Sequence, residues 1–144
     1  RKSSSGLTLV MTVGNPFRSD DGAGTYLASI IKTSPRLALI NAGETPENTI
    51  DEAVRLKPAK IIIIDAAVFG GEPGETRVID EKHIPETTIS THSIPLKFIF
   101  EILSKDTRAE IKFIGIQAKT VAFGEYICPE VRSAAHEIAD ILNS

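Results

Sequence analysis

Four consecutive isoleucines, Ile61 to Ile64, constrain this chain more than any other stretch. A strand with one face in water alternates apolar and polar residues. An unbroken isoleucine run has to be buried on both faces, as in the middle of a parallel sheet. The segment Lys60 to Ala67 therefore predicts a central strand, with helices needed to cover each side of it.

The rest of the chain supplies those helices in alternation with strands. An apolar run over Leu7 to Val13 predicts a first strand, ended by Gly14-Asn15. A helical pattern follows from Asp21 to Thr33, with Ser19, Asp20 or Asp21 as its expected cap. Ser34-Pro35 ends it, and a second strand is expected over Leu37 to Asn41. The loop Ala42 to Asn48 leads to a helix over about Thr49 to Leu56, closed by Lys57-Pro58. Beyond the isoleucine strand, Gly70 to Gly74 reads as a turn and Glu75 to Asp80 as a more exposed strand. Pro85 to Ser93 has little periodicity and is expected to be a loop. A helix over about Ile94 to Ser104, a buried strand over Ile111 to Gln117 and an amphipathic helix over Pro129 to Leu142 complete the chain. The expected architecture is α/β: a three-layer α/β/α sandwich around a mostly parallel, mixed sheet.

At 144 residues the chain suits one domain, expected over residues 7–144, with residues 1–6 as a loose tail. The absence of an initiator Met fits a processed or trimmed start. A net charge of −3 argues against a nucleic-acid footprint. The apolar run after Arg1-Lys2 is interrupted by Thr8 and Thr12, with no cleavage site behind it. No stretch approaches the length of a membrane span. These features predict a cytoplasmic protein. The only cysteine, Cys128, excludes an internal disulfide, and its bland reading is a buried or idle thiol.

The chemistry concentrates in Val10 to Gly24, VMTVGNPFRSDDGAG. Strand, turn and helix start follow one another there, the usual place for a ligand in an α/β sheet. A nucleotide loop would offer glycines and N–H groups to phosphate. Here Asp20 and Asp21 occupy the helix mouth, which repels phosphate and attracts a cation. G-x-G-x-x-G and G-x4-G-K-[ST] are both absent, so no nucleotide is expected. Asp65 ends the isoleucine strand, and His92 precedes a helix that could reach the same edge. Asp21, Asp65 and His92 would make an O,O,N set fit for a divalent transition metal, or for general acid–base work. Taken singly each has a bland reading: a helix cap, a strand-end acceptor, a loop histidine. His83 and His136 have no converging partners and read as surface residues.

At these residues a family resemblance becomes specific. GNPFRSDDGAG, GETPEN, IIIIDAAVFGGEPGE, STHSIPL and FIGIQ resemble, in order and separation, the maturation endopeptidases of nickel–iron hydrogenases, in the branch that processes hydrogenase 3-type large subunits. The resemblance covers about Leu7 to Leu142. It implies a protease that trims a C-terminal extension from the hydrogenase large-subunit precursor after nickel insertion, with the substrate's own nickel as the recognition signal. The family's metal-contacting acid, second aspartate and histidine fall on Asp21, Asp65 and His92, and Asp20 falls on a more variable acidic position. Relatives often have Pro after the Gln of FIGIQ, where this chain has Ala118.

The implied chemistry can run two ways. Asp21 or Asp65 could activate a water in the manner of an aspartyl protease, with nickel as an anchor. Alternatively the nickel could polarise the carbonyl or activate the water. No Ser–His–Asp, Cys–His or H-E-x-x-H arrangement is evident. With three ligands, no tightly held metal of the protein's own is expected. Glu44 and Glu47 are candidate substrate contacts. All three ligands are expected in one surface cleft, their metal-facing atoms within about 4–5 Å of each other, because bonds near 2 Å share a centre. A non-catalytic, nickel-dependent checkpoint or chaperone on the same precursor is the alternative function.

Overall fold

The isoleucine strand does lie at the centre of the sheet. The computed structural model describes residues 6–89 and 94–144. The expected tail therefore lies outside the described residues except for Gly6, and so does His92. Strand β1 is Thr8–Val13, β2 Leu37–Gly43, β3 Lys60–Ala67, β4 Thr76–Ile79 and β5 Glu110–Gln117. Their order is β2-β1-β3-β5-β4, parallel throughout except for β4, which runs antiparallel on the edge beside β5.

Two helical layers close the faces of this sheet. Helices α1 (Ala23–Ile30) and α5 (Pro129–Leu142) cover one face, where Leu27, Val131 and Ala135 meet Ile64 and Val10. Helices α2 (Ile50–Arg55) and α4 (Leu96–Asp106) cover the other, where Ala53, Ile99 and Leu103 meet Ile61 and Ile63. The four isoleucines thus divide between two cores, and each fully buried one contributes about 1.5–3 kcal/mol relative to exposure.

The connections create the crevice. From β1 the chain turns through α1 to β2 on one side. From β3 it turns the other way, out to the β4 edge and back through α4 to β5. Loops leaving β1 and β3 diverge, and that divergence opens a site at their carboxyl ends.

Several boundaries differ from the sequence reading, each for a tertiary reason. The first helix does not start at Asp21: Ser19–Gly22 is a 3-10 turn, and α1 begins only at Ala23. It also stops at Ile30, short of Thr33. The Lys32 N–H donates to Asn143 Oδ1 (3.2 Å) and its carbonyl accepts from Asn143 Nδ2 (2.6 Å), so the end of α5 takes both backbone groups. A 3-10 turn (Glu81–His83) runs into a one-turn helix α3 (Ile84–Thr87), which occupies the start of the loop expected over Pro85 to Ser93. One buried apolar residue, Ile84, and the hydroxyls of Thr87 and Thr88 bonded back to the Ile84 carbonyl hold it. A single anchor leaves no periodicity to read. Ala118, which stands where relatives often have Pro, donates its N–H to the Ala67 carbonyl at 3.0 Å. That bond extends the β3–β5 ladder by one step, and a proline could not make it.

Candidate active site

Asp21 and Asp65 arrive at the same end of the sheet from different elements. β1 stops at Val13, and Gly14 turns the chain at φ +148°. A Cβ at Gly14 would stand 2.2 Å from the Asp21 carbonyl oxygen and 3.5 Å from Asp65 Oδ1, so both acidic segments converge on this glycine. The Asn15 N–H then donates to the Asp21 carbonyl at 3.0 Å, closing the loop over it. Behind it, a Cβ at Gly24 would lie 2.5 Å from the Val13 carbonyl oxygen, so α1 packs directly on the strand end. Asp65 belongs to β3 itself, paired with Gly115 of β5.

Both carboxylates are fully buried (0 % exposed), and this corrects the expectation of an open surface cleft. Neither oxygen of Asp65 has a hydrogen-bond partner among the described residues, and Asp21 Oδ1 is also shut off from solvent. Burial drives the Asp65 carboxyl well above its ordinary pKa. The nearby Asp21 charge pushes it further, and the Ala66 N–H offsets only part of this. A buried carboxylate without donors is costly as an anion. It favours a proton or a cation.

Asp20 does the opposite job, and the sequence does not announce it. The cap positions of the 3-10 turn and of α1 fall to Arg18 and Gly22, not to Ser19, Asp20 or Asp21. Asp20, also 0 % exposed, reaches across the fold instead. Its Oδ2 accepts from the Lys119 N–H (2.7 Å) and the Thr120 N–H (3.1 Å), and its Oδ1 from the Cys128 N–H (2.8 Å). The Cys128 thiol donates to Oδ2 at 3.3 Å. Of the two acids at the expected helix mouth, then, one is consumed as a clamp on the segment between β5 and α5. Cys128 is buried as its bland reading has it, but it is bonded rather than idle, and burial raises its thiol pKa. These partners lie about a hundred residues from Asp20 in sequence, so no local pattern could reveal them.

The remaining candidates sit as follows. Glu44 Oε1 accepts from Asn15 Nδ2 at 3.2 Å, tying the loop after β2 to the loop after β1. Glu47 lies in a 3-10 turn (Pro46–Thr49), half-buried, with Oε1 enclosed and unbonded among the described residues. His83 is exposed, as is His136, which bonds the Tyr26 hydroxyl at 2.8 Å. Among the described residues no three His, Cys, Asp or Glu side chains form a metal-binding group. Sequence reasoning also passed over Gln117, whose buried Oε1 accepts from the Phe69 and Gly71 N–H groups (2.9 and 3.1 Å) and pins the loop after Asp65. No helix among the described residues is long and apolar enough to cross a membrane.

Fold and geometry together define a doubly wound α/β protein with an acid pair buried where its strand order reverses. Comparison with known proteins narrows this class. The family model for hydrogenase maturation proteases matches residues 23–144. The hydrogenase 3 maturation protease of Escherichia coli K12 is 34% identical over 133 residues, covering 90% of this chain and 85% of the relative. The solution structure of the endopeptidase HycI from Escherichia coli superimposes with a TM-score of 0.85 at 33% identity, over 95% of this chain and 89% of that one. The crystal structure of a NiFe hydrogenase maturation protease HycI from Thermococcus kodakarensis KOD1 gives 0.83 at 26% identity, over 98% and 92%. The chain belongs to the hydrogenase maturation protease family, and it is a peptidase.

Proposed function

We propose that this peptidase removes the C-terminal extension of a nickel–iron hydrogenase large-subunit precursor after nickel insertion, in the cytoplasm, and that it recognises the nickel carried by that substrate. The observation that carries the reading is the acid pair. Asp65 presents two buried oxygens that no described group satisfies, beside the charge of Asp21. A divalent cation arriving with the substrate supplies the charge that this pocket lacks. His92 joins Asp21 and Asp65 as the third ligand by the family resemblance. A single buried thiol suits a reducing compartment.

In this reading the nickel anchors the precursor so that the scissile peptide lies beside the acids. Ionised Asp65, made a stronger base by its burial and by the charge of Asp21, accepts a proton from water as the water oxygen bonds to the carbonyl carbon. The tetrahedral adduct then breaks its C–N bond, and the same proton passes to the departing amine. Glu44 and Glu47, on the loop tied to Asn15, contact the incoming segment.

The test mixes purified protein with nickel-loaded and nickel-free precursor and follows the intact mass of the precursor. Loss of a C-terminal fragment is expected from the nickel-loaded form only. Cleavage of both forms would overturn the nickel dependence. Stable binding without any mass change would favour the checkpoint function. Asp21→Asn and Asp65→Asn should each abolish processing, and parental rates in both variants would refute the assigned residues.

A further inference from the structure

The loop that carries Asp21 also carries an exposed aromatic, Phe17, and the clamped segment opposite it carries two more. Phe17 is 58% exposed, Phe123 91% and Tyr126 60%. The segments are stitched together by backbone and side-chain bonds. The Gly124 N–H donates to the Phe17 carbonyl (2.9 Å), and the Ser19 N–H to the Gly124 carbonyl (2.8 Å). The Ser19 hydroxyl donates to the Ala122 carbonyl (2.7 Å), and Arg18 Nε to the Val121 carbonyl (3.2 Å). Arg18 and Gly124 form a parallel bridge. The bridge brings the backbone at Phe17 alongside the backbone at Phe123. Asp20 anchors the base of the second segment at Lys119, Thr120 and Cys128. The aromatics are therefore held out on a bonded frame.

We infer that this rim is the surface on which the precursor docks, through an apolar patch beside its C-terminal segment. The inference rests on the function proposed above. A protein substrate needs contact area, and the fully buried acid pair offers almost none. The rim runs without a break into the Asp21 loop, four residues from Phe17 to Asp21. An aromatic side chain presents about 150–250 Å². At the exposures given, the three supply roughly 400 Å², about half of the ~800 Å² that each partner brings to a standard interface.

The experiment measures binding of nickel-loaded precursor to the parent protein and to Phe17→Ser and Phe123→Ser, with Phe98→Ser as control. Phe98 is 54% exposed on α4, which packs on the other face of the sheet. Each rim variant should weaken Kd about tenfold or more, as expected for losing one buried Phe, while Phe98→Ser stays within twofold. Rim variants that bind and process precursor like the parent would overturn the docking surface and leave the protease assignment standing. A parent that neither binds nor cuts the precursor would overturn the substrate itself. A parent that sediments as a dimer, with Phe123→Ser a monomer of unchanged precursor affinity, would reassign the rim to self-association.

Discussion

Asp20→Asn should destabilise the protein and Asp65→Asn should not, although both replace a fully buried aspartate near the same site. At Asp20 the carboxylate accepts three backbone N–H groups and a thiol. An amide has one oxygen. In its better orientation that oxygen keeps Lys119 and Thr120, and the NH2 then confronts the Cys128 N–H. One backbone donor and the new amide donors are stranded, and the remaining bonds lose their charge. An orphaned buried donor costs about 1–3 kcal/mol and a charge-assisted bond is worth about 1.5–3 kcal/mol, so Asp20→Asn should lose about 2–4 kcal/mol. That is a large share of the ~5–15 kcal/mol available to a domain. At Asp65 no hydrogen bond is lost. The substitution removes a charge from an apolar setting and gives Asp21 a neutral donor in place of a like charge, so stability at pH 7 should hold or rise. Urea unfolding followed by far-ultraviolet circular dichroism, with an unchanged m-value, measures both. The clamp argument is refuted if Asp20→Asn stays within about 0.5 kcal/mol of the parent, below the cost of one lost bond. Destabilisation of Asp65→Asn by more than about 1 kcal/mol would make Asp65 a structural residue.

Three further expectations follow from the same geometry. Gly14→Ala should lose at least about 2 kcal/mol, because φ +148° strains any L side chain and the new Cβ would stand 2.2 Å from the Asp21 carbonyl oxygen; thermal unfolding near the parental midpoint would contradict this. Folded Asp65 holds its proton more tightly than the unfolded chain does, so its contribution is complete below the ordinary aspartate range near pH ~4 and is lost as pH rises through the raised value; a pH series of urea midpoints should decline over that window in the parent and less in Asp65→Asn, and identical profiles would count against it. Metal analysis after gel filtration should find well under one nickel or zinc per chain, and a stoichiometric, chelator-resistant ion would instead mean a resident metal.

The isoleucine run is the part of the fold most legible in the sequence, since only a strand buried on both faces tolerates it, and β3 runs over Lys60–Ala67 as read. Flanking strands and helices followed from periodicity and from Gly and Pro punctuation, and helix α5 likewise keeps its expected bounds. The placing of Asp21 and Asp65 at one end of the sheet was also legible, because one follows the first strand, the other lies near the carboxyl end of the isoleucine strand, and parallel topology makes those strands neighbours. What Asp20 does was not. Two adjacent aspartates look alike in a sequence, and only the return of residues 117–128 to this corner separates them, giving Asp20 three N–H donors while Asp21 lies beside Asp65. Burial was decided at the same level. A strand-end carboxylate reads as exposed until loops from distant parts of the chain close over it, and with Asp65 that closure turns an ordinary acid into one that favours a proton or a cation.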